Sequence, residues 1–163
     1  MGVSFNADEV LEMAEEIERN GAKFYREAAG KTSEKPLKDM FLQMASMEDG
    51  HLKTFQEMRK ELAAQEKEAT SFDPYDEAAL YLQTMADAKG TEGLKAPEVK
   101  LAGNESPEEM LNIAIDAEKN SVLFYVGLRD FVSAQAGRDK VEAIIREEVK
   151  HVADLKRELA KMS

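Results

Sequence analysis

Each of the two histidines in this chain lies three residues after a glutamate, a spacing that suits metal binding. The motifs are Glu48-x-x-His51 and Glu148-x-x-His151, and the second repeats the first at an offset of 100 residues. On an α-helix, residues three apart project from one face about a turn apart, so both side chains can reach a common ion. The doubled motif therefore predicts a metal site to which two helices contribute.

The repeat extends well beyond the histidines. Residues 11–25 (LEMAEEIERNGAKFY) align with residues 111–125 (LNIAIDAEKNSVLFY), which pairs Glu18 with Glu118, and both stretches end in Phe-Tyr. Each half of the chain thus carries one Glu and, 30 residues later, a Glu-x-x-His. Two similar halves with matching ligand residues indicate one site built from both.

Composition limits the classes of protein to consider. With 163 residues, 43% hydrophobic and 34% charged, the chain is expected to form one globular domain over 1–163. A net charge of −11 without a strong Lys/Arg cluster argues against nucleic-acid binding. No long apolar run or signal peptide is present, so we expect no membrane partner and a cytoplasmic location. The lack of Cys excludes iron–sulfur clusters and thiol catalysis within the chain.

Helical periodicity predicts an all-α chain of two helical hairpins. The first hairpin is expected at about 6–68 and the second at about 106–163, with the last helix beginning near Gly137. A crossover at about 69–105 joins them and contains a short amphipathic helix over 74–88, capped by Asp73. A connection of this length can cross the bundle, so the second and third long helices need not be neighbours.

Capping signals mark the helix ends. Asn6 with Glu9, and Ser106 with Glu109, each predict a reciprocal cap at the start of a hairpin. Gly30 is interpreted as the end of the first helix.

The motif residues fall on the stripes that face the bundle core. In the second helix the heptad stripe consists of Leu37, Phe41, Met44, Glu48, His51, Phe55, Met58 and Leu62. The same count places Glu18, Glu118, Glu148 and His151 on the stripes of the other helices. Asp49 and Glu147, beside the motifs, are interpreted as exposed.

Buried carboxylates require a positive partner. Removing one carboxylate from water costs several kcal/mol, and no Lys or Arg lies beside the four glutamates on the stripes. Two divalent ions would balance four carboxylates, with the histidines as neutral ligands. The charge balance therefore favours a two-metal site.

Over nearly its whole length, the chain resembles the rubrerythrin-like branch of the ferritin-like di-iron proteins. The resemblance rests on four stretches: EIERNGAKFY, MEDGH, DAEKNSVLFY and EEVKH. The resemblance implies a ferritin-like four-helix bundle with the ligand set of one Glu from each of two helices and a Glu-x-x-His from each of the others. It implies Glu18 and Glu118 as terminal ligands, Glu48 and Glu148 as bridges, and His51 and His151 as one nitrogen ligand per metal.

The function implied by the resemblance is a non-haem di-iron centre that reduces peroxide or O₂. Rubrerythrins proper append a Cys-ligated rubredoxin domain; without Cys, this chain is expected to need an external electron donor. Two Fe ions are the expected cofactor, and Mn or Zn could also bind. The alternatives are a non-catalytic iron-binding or ferroxidase-type storage module, and a structural bundle with a vestigial site. A homodimer is expected for the first function and a many-subunit cage for storage.

Four further residues lie near the predicted ligands. Rubrerythrins proper carry an extra Glu one turn after the third-helix ligand, where this chain has Ser121, and its repeat counterpart is Gly21. These small residues could leave room near the metals. Tyr25 and Tyr125 lie two turns after a ligand Glu. Core packing is the more common role for such a tyrosine, and a hydrogen bond that holds a carboxylate is the alternative.

Overall fold

Five helices make up the part of the chain that the structure describes. The structure is a computed structural model and describes residues 6–62, 75, 77–86 and 100–163. The helices are α1 (Ala7–Lys31), α2 (Lys35–Glu61), α3 (Glu77–Ala86), α4 (Pro107–Arg129) and α5 (Arg138–Ala160). The all-α prediction is confirmed. None of the described helices is long and apolar enough to cross a membrane.

Both hairpins begin with the predicted reciprocal caps. At the start of α1 the Glu9 N–H donates to the Asn6 side chain at 2.8 Å, and the Asn6 N–H donates to the Glu9 carboxylate at 3.0 Å. Ser106 and Glu109 exchange the same two bonds at the start of α4, at 3.1 and 3.2 Å. These bonds satisfy N–H groups that the first turn leaves unpaired, and they determine where the ligand-bearing helices start.

The end of α1 differs from the prediction. Gly30 lies inside the helix, which continues to Lys31 and ends where Thr32 is extended, with φ −100° and ψ 136°. Because α2 begins at Lys35, an extended residue is sufficient to redirect the chain, and no left-handed glycine is needed.

The end of α2 also differs, since the helix stops at Glu61 rather than near residue 68. Leu62 leaves the helical region with ψ 127° and buries its side chain, which is 6% exposed, in the core. Residues 63–68 and the predicted cap Asp73 lie outside the described residues.

Packing follows the two-hairpin arrangement. α1 packs along α2, and α4 packs along α5. The hairpins meet through contacts of α1 with α4 and of α2 with α5. α2 and α4 are therefore diagonal in the bundle, in agreement with a crossover between them.

The short helix α3 lies within the predicted range 74–88 and packs against α4. The Tyr81 hydroxyl donates to the Leu123 carbonyl at 2.6 Å. A Cβ atom at Gly127 would lie only 2.6 Å from Cε1 of the Tyr81 ring, so a glycine is needed for this close approach.

The apolar core forms two clusters on either side of a polar layer. One contains Leu11, Phe55, Met58, Tyr125, Leu128, Val141 and Ile144. The other contains Tyr25, Ala28, Leu37, Phe41, Leu111, Ala114 and Leu155. Every residue of the predicted α2 stripe is at most 6% exposed. The glutamates and histidines interrupt these stripes halfway along, which places them between the two clusters.

Candidate metal centre

All four long helices contribute side chains to one buried polar layer. α1 provides Glu18 and α4 provides Glu118, while α2 and α5 each provide a Glu-x-x-His pair. The six residues are each at most 4% exposed; they are Glu18, Glu48, His51, Glu118, Glu148 and His151. The structure thus brings together every metal ligand that the sequence predicts.

The six residues form two overlapping groups. Glu18 and His51 belong to one group and Glu118 and His151 to the other, while Glu48 and Glu148 belong to both. Within each group, one potential ligand atom per residue lies within 4.8 Å of all the others. Two four-residue groups that share two carboxylates match a pair of neighbouring cation positions.

Both imidazoles turn Nδ1 toward the carboxylates. His51 Nδ1 lies 2.7 Å from Glu148 Oε1 and 3.5 Å from Glu18 Oε2. His151 Nδ1 lies 3.1 Å from Glu148 Oε2 and 3.4 Å from Glu48 Oε1. The two rings face each other, with centroids 5.9 Å apart and planes inclined by 27°.

Several atoms of the layer have no hydrogen-bond partner among the described residues. They include Glu18 Oε2, Glu48 Oε1, Glu148 Oε1 and His51 Nδ1. His51 Nδ1 and Glu148 Oε1 are close but not aligned for a hydrogen bond. A buried polar atom without a partner costs about 1–3 kcal/mol, so such a cluster needs another source of stabilisation. Oxygen and imidazole donors that converge in this way fit a pair of divalent ions.

The charges of the glutamates reflect their burial. Desolvation and the neighbouring carboxylates raise the pKa of Glu18 well above its usual value and raise the pKa of Glu118 to about 8. Burial also acts to raise the pKa of Glu148, but its close contacts with Glu118 and the two histidines lower it overall. The carboxylates of α1 and α4 therefore favour their protonated forms when no cation is bound.

The two histidines favour their protonated forms when no cation is bound, whereas the sequence-based charge balance counts them as neutral ligands. Burial alone would lower the pKa of His51, but the close carboxylates of Glu148 and Glu18 outweigh it and raise the pKa to about 11. The corresponding carboxylates around His151 raise its pKa to about 12. Without metal, the centre thus offsets its carboxylates with protons, which metal ions must displace.

Tyr25 and Tyr125 connect the two hairpins at the polar layer. The Tyr125 hydroxyl donates to Glu18 Oε1 at 2.5 Å, and the Tyr25 hydroxyl donates to Glu118 Oε1. Both side chains also pack in the core, at most 2% exposed. Each tyrosine therefore both packs in the core and holds a carboxylate through a hydrogen bond.

Glu147 contacts the centre, although the sequence predicts only an exposed side chain at this position. Its side chain is 50% exposed, yet its Oε2 lies 2.6 Å from His51 Nε2. Asp49 is similarly exposed and pairs with Arg26 instead. The position of Glu147, directly before a ligand glutamate, was the available signal, but its reach across to α2 depends on how the hairpins dock.

The small residues next to the ligands do not leave equivalent space. A Cβ atom at Gly21 would lie 2.7 Å from Glu48 Oε2, so the Glu48 carboxylate uses the room at this glycine. The Ser121 hydroxyl donates to the Ala117 carbonyl of its own helix at 3.1 Å. Gly21 thus makes space for a ligand residue.

A helical bundle with four buried glutamates and two buried histidines in its core matches the carboxylate-rich bundles of the ferritin-like class. The rubrerythrin family matches residues 9–159, and the chain therefore belongs to the rubrerythrin family.

Among solved structures, the chain is similar to a protein from Thermotoga maritima described as a ferritin-like diiron-carboxylate protein. The two share 22% sequence identity over 98% of each chain, with a TM-score of 0.73. This likeness confirms the ferritin-like fold. No match was found among curated proteins.

Proposed function

We propose that the chain binds two iron ions and reduces peroxide or O₂ with electrons from an external donor. Glu48 and Glu148 would be shared by both ions, Glu18 and His51 would hold one of them, and Glu118 and His151 would hold the other. The observation that supports this assignment best is the pair of overlapping groups that share two carboxylates.

The ligand chemistry is compatible with iron. Positions rich in carboxylates with one imidazole each suit Fe(II) or Mn(II), while Zn(II) binds such sites through its generally higher affinity. When bound, two Fe(II) ions supply the two electrons that reduce one peroxide to water or one O₂ to peroxide.

The protein contributes orientation and a dry environment. Tyr25 and Tyr125 hold the carboxylates of Glu118 and Glu18 through hydrogen bonds across the hairpins. The apolar clusters on both sides of the layer limit the access of water to it. Four carboxylates and two divalent ions sum to zero charge, so a loaded centre has no net charge to stabilise.

The test is anaerobic loading with Fe(II) followed by rapid mixing with H₂O₂ or O₂. Stopped-flow absorption is expected to show oxidation faster than that of free Fe(II) at the same pH. Glu118→Ala removes one ligand and is expected to abolish the fast phase, whereas Asp49→Ala removes an exposed carboxylate bound to Arg26 and is expected to retain it. Wild-type oxidation no faster than that of free Fe(II) would contradict the catalytic proposal.

Particle mass distinguishes this function from iron storage. A storage module of the cage-forming type assembles into many subunits, whereas we propose a homodimer in the cytoplasm that receives electrons from another protein or a small molecule. Light scattering of the purified chain measures the assembly. A many-subunit particle that retains iron without turnover would favour the storage alternative.

A further inference from the structure

The two histidines differ at their outward nitrogens. His51 Nε2 donates to the Glu147 carboxylate at 2.6 Å. His151 Nε2 is buried and has no hydrogen-bond partner among the described residues. The inward Nδ1 atoms of both rings face the carboxylates at similar distances. The six-residue layer is therefore nearly symmetric, but its surroundings are not.

The asymmetry has its origin in the repeat. Glu147 directly precedes Glu148, and the residue that precedes Glu48 in the first half is Met47. A thioether is at most a weak acceptor, so Met47 cannot provide what the Glu147 carboxylate provides. Among the described residues, one imidazole therefore has an acidic partner at its outward nitrogen and the other has none.

A carboxylate that accepts the outward N–H of an imidazole affects how that imidazole binds metal. It fixes the ring orientation and the tautomer, so that the inward nitrogen presents its lone pair to the ion, and it makes that nitrogen a stronger donor. Loss of such a partner typically lowers metal affinity by about 10- to 100-fold.

We infer that Glu147 is a positioning residue that makes the His51 position bind its metal more tightly than the His151 position. The two positions consequently fill in order, the His51 position first, and the ion at the His151 position is the one that exchanges more readily. This inference rests on the proposed two-metal function. It adds an order of loading that the symmetric ligand set alone would not produce.

Titration with Mn²⁺ tests the inference without relying on activity. Calorimetry gives the two dissociation constants, and anomalous scattering from crystals grown with one equivalent of Mn²⁺ shows which position fills first. In the wild-type protein we expect the single ion beside His51. Repulsion between two neighbouring cations makes the second ion bind more weakly even where the two positions are identical. The ratio of the two dissociation constants must therefore be compared between variants.

Glu147→Ala is expected to weaken the tighter step by about 10- to 100-fold and to distribute the first Mn²⁺ over both positions. Glu147→Gln keeps an acceptor oxygen and is expected to restore part of the ratio. The matched control is Asp49→Ala, which removes a carboxylate of similar exposure that contacts Arg26 rather than a histidine. It is expected to leave both constants unchanged.

Met47→Glu supplies the acid that the first half lacks and is expected to strengthen binding at the His151 position. If this variant does not fold, the Glu147 variants, which change a half-exposed side chain, still decide the question. An unchanged ratio in Glu147→Ala, or a first ion beside His151, overturns the inference while the two-metal proposal stands. Fewer than two ions bound to the wild-type protein overturns both.

Discussion

The Tyr125 hydroxyl on α4 donates a hydrogen bond of 2.5 Å to Glu18 Oε1 on α1, in the other hairpin. Tyr25 on α1 makes the reciprocal bond to Glu118 on α4. Burial and the nearby carboxylates raise the pKa of both phenols, which keeps the donated proton on the tyrosine oxygen. Each hairpin therefore orients a carboxylate of the other, and the two bonds couple assembly of the bundle to the shape of the centre.

Replacement of Tyr125 by Phe removes one of these bonds while the ring remains. We expect the free energy of unfolding to fall by about 1–3 kcal/mol, because a buried carboxylate oxygen loses its donor. Metal affinity is expected to fall by about 10-fold or more, since Glu18 is no longer held in place. Denaturant unfolding and Mn²⁺ titration measure the two effects.

Tyr81→Phe is the matched control. This hydroxyl donates to the Leu123 carbonyl on the surface, away from the centre. The change is expected to cost about 1 kcal/mol or less and to leave metal affinity unchanged. Wild-type affinity in Tyr125→Phe would show that the Glu18 carboxylate needs no support from the phenol.

Gly21→Ala is expected to alter the centre through steric contact with Glu48. The added Cβ would lie 2.7 Å from Glu48 Oε2, so the carboxylate must move away from α1. Because Glu48 belongs to both groups of ligand residues, both metal-binding steps are expected to weaken. Mn²⁺ titration measures both dissociation constants.

The control for this change is Gly50→Ala, also inside a helix, where an added Cβ meets nothing within 4 Å. It is expected to raise the free energy of unfolding by up to about 1 kcal/mol through helix propensity alone, without altering metal binding. Equal metal affinity in both variants would contradict the role assigned to Gly21.

Arg59 stabilises the α1–α2 hairpin through a cluster of acidic residues. Its guanidinium donates to Asp8 at 2.9 Å and to Glu15 at 3.1 Å, and the Glu15 side chain is only 10% exposed. Arg59→Ala leaves this nearly buried carboxylate unpaired, so we expect a loss of about 1–3 kcal/mol in the free energy of unfolding.

Lys35→Ala provides the comparison, because Lys35 pairs with Asp39 on the surface with side chains 84% and 57% exposed. This variant is expected to remain within about 0.5 kcal/mol of the wild type. Chemical denaturation of both variants under the same conditions measures the difference. Equal losses would mean that the Arg59 cluster is screened like an ordinary surface pair.

The elements that the sequence predicted well depend on local spacing. The α2 stripe from Leu37 to Leu62 is buried because a heptad repeat determines which face of a helix turns inward. The caps at Asn6 and Ser106 formed for the same reason, since the partners lie three residues apart. The convergence of the six candidate ligands followed from the repeat, because equivalent positions in two similar hairpins meet at the same height in the bundle.

The features that sequence reasoning missed or left open depend on contacts between hairpins. The reach of Glu147 to His51, and of Tyr125 to Glu18, is determined by the rotation and relative height of helices that are far apart in the chain. Spacing within one helix contains no information about either. The early end of α2, where Leu62 leaves the helical region, is a further difference that the spacing within the helix did not indicate.

The metal-free protein is expected to lose stability as the pH rises from about 6.5 to 8. Burial raises the pKa of Glu118 from 4.5 to about 8, so its contribution is complete below pH 4.5 and is lost as the pH approaches 8. Close contacts with carboxylates outweigh burial for the histidines and raise the pKa of His51 from 6.5 to about 11. The His51 contribution is therefore complete below pH 6.5 and declines as the pH rises toward 11, so both losses act between pH 6.5 and 8.

In this window the free energy of unfolding falls as the pH rises. The slope is about 1.4 kcal/mol per pH unit for each proton that the native state holds in excess of the unfolded state. Glu118→Gln, whose neutral side chain has no proton to release, is expected to show a shallower decline. Mn²⁺ must displace these protons to bind, so its affinity is expected to increase as the pH rises. Bound metal stabilises the fold by about 2.7 kcal/mol at 100 times the dissociation constant. This stabilisation is therefore expected to require less Mn²⁺ at higher pH. Denaturant unfolding with and without Mn²⁺ across this range measures both effects, and a metal affinity independent of pH would contradict a proton-filled centre.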